Sequence, residues 1–261
     1  MTKGYLLSLV AGLFLTACVN TETADTKRTT LRQMLAASAQ VFVEREDGAR
    51  RVGSAVVLST KLDQANVAIL TTAHLLEPPI AQSTFVVVNP QIERIAAEIV
   101  AIDAERDIAL LAAPLPEVSQ VELAPGAGLA DEILIVAYPW GRQRTVVNGA
   151  VSQISVRASV DDPFSIWGPV GLVDATVSYG MSGGGVFDKH SGNVIGIVRG
   201  YRTAHLSLNS EQPPLKLPIA GETTVISTRE IVCFLRSIKH EWLVGDALTS
   251  TIGERDCEPQ S

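Results

Sequence analysis

The sequence predicts an all-β protein built from two β-barrels, with one short helix before them and one after. Hydrophobic residues make up 46% of the 261-residue chain but aromatic residues only 5%, a balance that favours short strands over a helical bundle. Short apolar runs bounded by turn residues recur along the chain. A stretch rich in Pro and Gly at 114–128 divides these runs into two groups of similar size. Closing each group into a barrel would leave no exposed strand edges.

Each group contains several candidate strands. The first group lies at 40–45, 52–58, 66–71, 84–88, 94–102 and 108–112. The second lies at 132–138, 144–154, 170–177, 184–187, 193–199 and 223–227. We therefore expect one domain over residues 31–245, with barrels at about 38–120 and 131–228.

Helical spacing appears only at the two ends of this domain. Leu31, Met34 and Leu35 follow Thr30, a candidate N-cap, and predict a short first helix. The apolar positions from Ile231 to Trp242 recur at helical spacing and predict a second helix. Residues 246–261 form the C-terminal tail.

The first 17 residues have the pattern of a cleaved export signal. Lys3 precedes an apolar run that is too short to span a bilayer comfortably. The run ends in Leu15-Thr16-Ala17-Cys18, which resembles a bacterial lipobox, where the cysteine is acylated and becomes the first residue of the mature chain. This resemblance implies a lipoprotein of the bacterial envelope facing the periplasm or the cell surface. Val19 after the cysteine favours the outer membrane. The alternative for Cys18 is a buried or disulfide-bonded thiol.

Residues 18–30 are polar and rich in Thr, and we interpret them as a flexible tether. With Cys18 acylated, Cys233 and Cys257 remain as an even pair in a compartment that permits disulfides. The pair is either bonded, which would fix the C-terminal tail, or consists of one buried thiol and one thiol in a frayed end.

Several classes of function are excluded by composition and spacing. The formal charge is −7 and no segment concentrates Lys and Arg, which argues against nucleic-acid binding. The histidines outside the candidate site have no partners at metal-ligand spacing, so no metal site is expected, and no cofactor is predicted.

Three separate segments supply a candidate catalytic set. In Gly180-Met181-Ser182-Gly183-Gly184-Gly185, the glycines permit a tight loop whose N–H groups can converge on an oxyanion. His74 ends an apolar strand and Asp107 begins another. A serine hydroxyl needs an imidazole to take its proton, and the imidazole needs a carboxylate to orient it. Each residue alone has an ordinary structural interpretation, so the case depends on the combination.

The order of the three residues distinguishes two hydrolase scaffolds. Gly180-x-Ser182-x-Gly184 also satisfies the nucleophile-elbow pattern of α/β-hydrolases, but those enzymes place the acid and the histidine after the serine. Here the order is His, Asp, Ser, and the segment after Ser182 is strand-like. The esterase interpretation is therefore disfavoured.

These segments resemble the protease domain of the trypsin-like HtrA/DegP group over about residues 40–235. The matching motifs are Gly53-Ser54-Ala55, Thr72-Ala73-His74, Asp107-Ile108-Ala109, Ala137-Tyr138-Pro139-Trp140-Gly141 and the serine loop. The resemblance implies a trypsin-like double barrel with Ser182 as nucleophile. It also implies an oxyanion hole formed by Gly180 and Ser182 with Met181 between them, a substrate-pairing strand at Val198, Arg199 and Gly200, and Thr176 at the base of the specificity pocket.

The sequence also departs from that group. The chain stops at Ser261, so we expect no PDZ domains, and Gly185 replaces a proline. The segment at 201–222 is long and lacks apolar periodicity, and we expect it to form an irregular lid.

The expected function is therefore a serine endopeptidase acting on extended or unfolded envelope proteins. The alternative is a binding protein with the same fold that is catalytically silent or activated only by a partner. The sequence makes no prediction about the oligomeric state.

Overall fold

The computed structural model describes residues 17–59, 61–78, 82–87, 94–116, 118–154, 165–206 and 215–257, with side chains from residue 26 onward. Most of the predicted signal peptide, residues 1–16, lies outside the described residues. Among the helices in the described part of the chain, none combines the length and the apolar character that crossing a membrane requires.

Six antiparallel strands form the first barrel. They are β1 (Ser38–Arg45), β2 (Arg50–Ser59), β3 (Val67–Thr71), β4 (Gln82–Val87), β5 (Ile95–Asp103) and β6 (Ile108–Ala113). The strand order is β1-β2-β3-β6-β5-β4, and pairing of β4 with β1 closes the barrel. Val41 and Val43 of β1 are fully buried inside it.

The second barrel has the same strand number and follows a two-residue strand, β7 (Ala127–Gly128), that pairs with β10 (Trp167–Gly168). Its strands are β8 (Glu132–Ala137), β9 (Thr145–Ile154), β11 (Val170–Asp174), β12 (Gly185–Asp188), β13 (Val194–Leu206) and β14 (Leu215–Ser227). Their order is β11-β14-β13-β12-β8-β9 in a closed barrel. The prediction of an all-β, two-barrel fold is confirmed.

A shared apolar core joins the two barrels. Leu70 and Leu110 of the first barrel pack in one cluster with Phe187 and Ile226 of the second and with Phe234 of the last long helix. All five side chains are almost fully buried. Because each barrel also has its own interior cluster, the barrels are held face to face and the segments at their boundary have fixed positions.

The first helix, α1 (Ala17–Ala36), is longer than predicted. Residues 18–30, which we predicted as a flexible tether, lie within this helix, and Thr30 lies inside it rather than at its N-cap. Residues 18–30 contain no Gly or Pro that would end a helix. Met34 near its C-terminal end is buried in the core between the barrels and anchors the helix there. The backbone of Cys18 lies at the start of α1.

The C-terminal part of the chain is a series of short helices. After α2 (Ala73–Leu76), described below, the longer helix α3 (Thr228–Ser237) begins at a capping box between Ser227 and Glu230. It ends before Lys239, whose φ is 60°, so Trp242 lies in a 3₁₀ turn rather than in the predicted helix. The remaining elements are 3₁₀ turns at Pro139–Gly141, Glu241–Val244 and Glu254–Cys257, and α4 (Asp246–Thr251).

A disulfide joins Cys233 of α3 to Cys257, with the sulfur atoms 2.00 Å apart. Of the two arrangements that the sequence left open, the structure has the bonded one. The bond fixes the described end of the tail against α3, where Arg236 also donates to the carbonyls of Thr249 and Ile252.

The segment predicted as an irregular lid is largely a β-hairpin. Strands β13 and β14 continue past the barrel, with Thr203 opposite Pro218 and Leu206 opposite Leu215. The side chains on this extension are exposed. Pro213, Pro214 and Pro218 interrupt this segment in the sequence, and its larger apolar side chains, such as Leu206, Leu215 and Leu217, are exposed rather than packed in a core. Proline within a run argues against a strand, which explains the wrong prediction. The tip at 207–214 lies outside the described residues.

Candidate active site

Asp107 ends the tight turn that joins β5 to β6. Its φ is 61°, in the left-handed region that Asp tolerates better than most residues. The turn begins at Asp103, whose carboxylate accepts hydrogen bonds from the Arg106 backbone N–H at 2.9 Å and guanidinium at 2.7 Å. Burial opposes the ionised form of Asp103, but these bonds outweigh it and hold the pKa of that carboxyl below its ordinary value. The turn that presents Asp107 is thus braced at its base.

His74 lies on α2, a single turn that directly follows β3. The N-cap residue Thr72 makes no side-chain capping bond. Asp107 caps the helix instead: its carbonyl accepts from the Ala73 N–H at 3.1 Å and its Oδ1 accepts from the His74 N–H at 2.9 Å. The same carboxylate lies 3.0 and 2.9 Å from the imidazole Nδ1 through Oδ1 and Oδ2. Asp107 therefore fixes both the backbone and the ring of His74.

The carboxylate is the more enclosed member of the pair. The side chain of Asp107 is 19% exposed and that of His74 is 48% exposed. A hydrogen bond from Nδ1–H to Asp107 places the lone pair of neutral imidazole on Nε2, the ring nitrogen away from the carboxylate. The pair is arranged to accept a proton from the solvent-facing side.

Ser182 lies on the loop between β11 and β12, and two glycines shape this loop. Gly180 has a φ of 88° and Gly183 a φ of 84°. A Cβ on Gly183 would overlap the Ser54 carbonyl oxygen and lie 2.5 Å from Thr71 Oγ1. Only glycine fits there, so the loop can lie directly against β2 and β3 of the first barrel.

The loop backbone leaves two N–H groups without an acceptor. The N–H of Met181 donates to the Ser178 carbonyl at 3.1 Å, and that of Gly183 donates to the Val198 carbonyl at 2.8 Å. Within the described residues, the N–H groups of Gly180 and Ser182 make no hydrogen bond. These are the two donors predicted for an oxyanion hole. Met181, which the prediction included between them, contributes no donor, and its side chain is buried in the second barrel.

The hydroxyl of Ser182 donates to the Arg199 carbonyl at 3.2 Å. No hydrogen bond joins Ser182 to His74 among the described residues. Both side chains nevertheless line one cavity of about 480 Å³, together with Tyr179, Gly180 and Gly200. The structure thus brings the three predicted residues together at the boundary of the two barrels, with the serine turned toward its own barrel.

The predicted substrate-binding residues are only partly supported. Val198, Arg199 and Gly200 line the cavity, but the backbone of Val198 is already paired with Gly184 and Gly183. Strand β12 pairs with β13 only as far as Ile197, so the unpaired edge of β13 begins at Arg199. The prediction for Val198 as a pairing residue was therefore wrong.

Thr176 does not line this cavity, and the prediction that it forms the base was wrong. Its side chain is exposed, whereas the next residue, Val177, is buried and lines the cavity. Side chains alternate along an extended segment, so a displacement of one residue exchanges the inward position for the outward one.

Sequence comparison agrees with this geometry. A family model described as "Trypsin-like peptidase domain" matches residues 53–197, more than half of the chain. The chain belongs to the trypsin-like peptidase family. The matched region includes His74, Asp107 and Ser182. No curated protein matches the sequence.

Solved structures with the same fold include several bacterial proteases. An HtrA-type protease, AlgW, in a variant form with a tripeptide, is 22% identical with a TM-score of 0.60, and the match covers 81% of this chain and 63% of that chain. A serine endoprotease from Yersinia pestis is 21% identical with a TM-score of 0.58, covering 85% and 67%. The active form of the Rv3671c protease from M. tuberculosis is 21% identical with a TM-score of 0.59, covering 82% and 86%. The trypsin-like peptidase chain therefore spans less than two thirds of AlgW.

Sequence analysis missed two residues that position the site of this trypsin-like peptidase. Arg51 donates to the His74 carbonyl at 2.7 Å and to the Glu77 carbonyl at 2.6 Å, which satisfies the C-terminal end of α2. Ser54 donates from Oγ to the Gly180 carbonyl at 2.8 Å and accepts from the Tyr138 N–H at 2.9 Å. Ser54 belongs to the motif Gly53-Ser54-Ala55, but nothing in the sequence shows that its hydroxyl bridges the two barrels.

Two exposed aromatic residues flank the loop of Ser182. Trp140 donates from its backbone N–H to the Tyr179 carbonyl at 2.7 Å, and the two rings lie 5.4 Å apart. The neighbouring Tyr138 is buried, and this burial raises the pKa of its phenol.

In the described part of the chain, no group of three or more His, Cys, Asp or Glu side chains is placed to hold a metal ion.

Proposed function

We propose that the chain is a serine endopeptidase in which Ser182 attacks the peptide carbonyl, His74 accepts its proton and Asp107 orients the imidazole. One observation supports this more than any other. The carboxylate of Asp107 binds both the backbone and the Nδ1 of His74, and Ser182 lies across the same cavity from that imidazole. A base held in one tautomer beside a serine and two free N–H donors is the arrangement that acyl transfer requires.

The proposed reaction proceeds through an acyl-enzyme. The Ser182 hydroxyl gives its proton to Nε2 of His74 and its oxygen bonds to the peptide carbon, while the N–H groups of Gly180 and Ser182 stabilise the oxyanion. The imidazolium then donates the proton to the leaving amine, and water attacks the ester in the second half of the reaction. For the first step, the hydroxyl must leave the Arg199 carbonyl.

The substrate itself can bring about that release. From Arg199 onward, β13 is paired only with β14 among the described strands. An extended peptide added to this edge would donate its own N–H to the Arg199 carbonyl. The serine hydroxyl would then lose its present acceptor and turn to His74. This favours extended or unfolded segments of envelope proteins as substrates.

A lipid anchor is part of the proposal. If Cys18 is acylated, the acyl chains would hold the domain on a bacterial membrane, with the outer membrane favoured, facing the periplasm or the cell surface. Replacement of Cys18 by Ser should release the protein into the soluble fraction and remove the lipid mass at its N-terminus. Retention in the membrane fraction by C18S would contradict the anchor.

A second candidate function has a specific observation in its favour. Because the Ser182 hydroxyl is bonded to Arg199 and not to His74, the described arrangement is also that of a peptidase held inactive until a partner reorders the serine loop. A silent binding protein would show the same arrangement permanently.

Labelling of Ser182 by a fluorophosphonate separates these possibilities. We expect the wild-type protein to be labelled and to degrade casein, and S182A to do neither. The control is S237A, which removes a hydroxyl that donates to the Phe234 carbonyl far from the cavity. S237A should match the wild type. Labelling only in the presence of an added peptide would support the partner-activated form, and no labelling under any condition would refute both enzymatic proposals.

A further inference from the structure

A second cavity, of about 360 Å³, shares Arg199 with the candidate active-site cavity and is lined by parts of β9, β11, β13 and β14 and by the start of α3. Three arginine side chains line it, those of Arg199, Arg202 and Arg229, with one carboxylate, that of Glu230. The chain as a whole carries a charge of −7. A concentration of guanidinium groups on an acidic protein is therefore a local feature that needs its own explanation. We call it the arginine cavity.

Glu230 neutralises only part of the arginine cavity. Its Oε2 accepts from the Ser227 N–H at 2.7 Å and from the Ser227 hydroxyl at 3.0 Å, and its Oε1 accepts from Arg199 Nη2 at 3.0 Å. Both oxygens are thus engaged, one as the cap of α3 and one as the partner of a single arginine.

The arginines retain donors that no described residue uses. Arg199 has a buried Nε without a hydrogen-bond partner. Arg229 uses Nε to donate to the Asp256 carbonyl at 2.8 Å, and no bond to its terminal nitrogens occurs in the described chain. Arg202 Nη1 lies 3.5 Å from Glu222 in an ion pair that is about half exposed. The cavity therefore has more donors than acceptors, which is the chemistry of a carboxylate site.

Arg199 belongs to both cavities. Its carbonyl accepts the Ser182 hydroxyl, while its guanidinium donates to the Arg106 carbonyl and to Glu230. Arg202 is three residues further along the open edge of β13, about 10 Å away at 3.4 Å per residue. The arginine cavity therefore shares one residue with the cavity of Ser182 and includes a second residue of β13 beyond it.

The spacing between Arg199 and Arg202 along β13 defines which part of a substrate passes the arginine cavity. The open edge leads away from Ser182 toward Leu206. A peptide whose acyl side pairs with this edge runs antiparallel to β13, so its upstream residues lie opposite the later residues of the strand. A residue about three to five positions before the scissile bond is then level with Arg202.

We propose that the arginine cavity binds the carboxylate of an acidic side chain in the substrate, about three to five residues upstream of the scissile bond. This inference rests on the proposed peptidase function. It identifies the substrate class as extended peptides with Glu or Asp in that position. The planar guanidinium groups of Arg202 and Arg229 supply paired donors to the carboxylate.

Two matched peptides test the proposal. They are quenched fluorescent peptides that differ only in having Glu or Gln four residues before the cleavage site. The wild type is used to measure kcat/KM for each peptide. The S182A variant is used to measure Kd by fluorescence anisotropy. We expect a preference of about tenfold for the Glu peptide in both measurements. A tenfold ratio corresponds to about 1.4 kcal/mol, which is close to the contribution of one hydrogen bond to a charged group. The preference should shrink at high salt because exposed charges are screened.

Variants with equal charge changes locate the effect. R202Q/R229Q should lower the Glu-to-Gln ratio to near one, because the Glu peptide loses the partners of its carboxylate. R32Q/K239Q removes two exposed cations outside the cavity and should keep the full ratio. Thermal unfolding of each variant shows whether the fold is intact. If R202Q/R229Q does not fold, R202Q alone should give a partial loss.

The outcomes separate failure of the inference from failure of the proposed function. Cleavage without a Glu preference, or a preference that R202Q/R229Q retains, overturns the carboxylate site while the peptidase stands. A Glu preference in binding to S182A without any cleavage by the wild type supports the site and refutes the peptidase. The last measurement is the binding of inorganic phosphate to the protein. Binding of phosphate with no Glu preference would make the cavity a site for free anions and overturn the proposal.

Discussion

The two barrels contribute to the candidate active site in different ways. The first barrel supplies His74 and Asp107 from two short turns next to β3 and β6, and direct hydrogen bonds of 2.9 to 3.0 Å join them. The second supplies Ser182 from a glycine-rich loop, and its hydroxyl is bonded within its own barrel to Arg199. The proposed base and its orienting acid are thus joined within one barrel, whereas the proposed nucleophile makes no hydrogen bond to them among the described residues.

The serine loop depends on the first barrel for its shape. Ser54 of β2 donates from its N–H to the Ser182 carbonyl at 2.8 Å and from its hydroxyl to the Gly180 carbonyl at 2.8 Å. His74 and Asp107 have no corresponding bond to the second barrel in the described structure. We therefore expect damage at the barrel interface to affect Ser182 and to spare the His74–Asp107 pair.

Replacing Asp107 by Asn should have the largest effect on activity. The amide oxygen can still accept from the His74 N–H, but the amide NH₂ would face Nδ1, so the ring proton would move to Nε2 and the base would be lost. We expect a fall in kcat of about 10⁴-fold with little change in KM. Initial rates on a peptide substrate measure both.

Asp103→Asn is the matched control, because it makes the same change at the base of the same turn. Its effect on kcat should be within a few-fold of the wild type. Equal losses in D107N and D103N would show that the turn matters only structurally and would contradict the orienting role of Asp107.

Gly183→Ala tests the second barrel. The added Cβ would overlap the Ser54 carbonyl at a φ of 84°, so the loop must move away from β2. We expect a loss of about 3 kcal/mol in the free energy of unfolding in urea and loss of fluorophosphonate labelling. The low-field proton resonance of a His74–Asp107 bond should remain. The control is G48A, at a φ of 82° with no atom within 4 Å of the added Cβ. It should lower the free energy of unfolding by about 1 kcal/mol and keep fluorophosphonate labelling. Equal behaviour of G183A and G48A would contradict the packing argument.

The sequence predicted the parts of the fold that depend on alternation and on local motifs. The strands that have a buried face, such as β3 and β6, lie within about a residue of their predicted bounds because apolar runs mark them directly. His74, Asp107 and Ser182 could be proposed from the sequence because the chemistry restricts which residue types can serve. The exposed extension of β13 and β14 was missed because the prolines at 213, 214 and 218 argue against a strand.

Other features could not be predicted because they depend on how segments meet. A shift of one residue in the segment after β11 decides whether the side chain of Thr176 or that of Val177 faces the cavity. No residue type in that segment distinguishes the two alternatives. Arg199 was predicted from its position in a strand, but the sequence does not show that its guanidinium reaches the Arg106 carbonyl in the other barrel. The bond between Ser182 and Arg199 is likewise a tertiary contact.

Ser54→Ala should give the smallest of these effects and the sharpest test of the comparison. It removes one buried oxygen together with the hydrogen bonds that this oxygen makes to the Tyr138 N–H and the Gly180 carbonyl, which costs about 1–3 kcal/mol. The backbone bond from Ser54 to Ser182 remains, so the loop should loosen at Gly180, one of the two proposed oxyanion donors, without moving away from β2. We therefore expect kcat to fall about tenfold while KM and the His74–Asp107 resonance are unchanged.

Ser59→Ala, on the same strand but with its hydroxyl 3.4 Å from the Lys61 carbonyl, should leave kcat at the wild-type value. If S54A lowered stability as expected but left kcat unchanged, the interface would hold the barrels together without shaping the oxyanion donors. The position of Gly180 would then be set by the second barrel alone, and the proposed dependence of the nucleophile on the first barrel would be wrong.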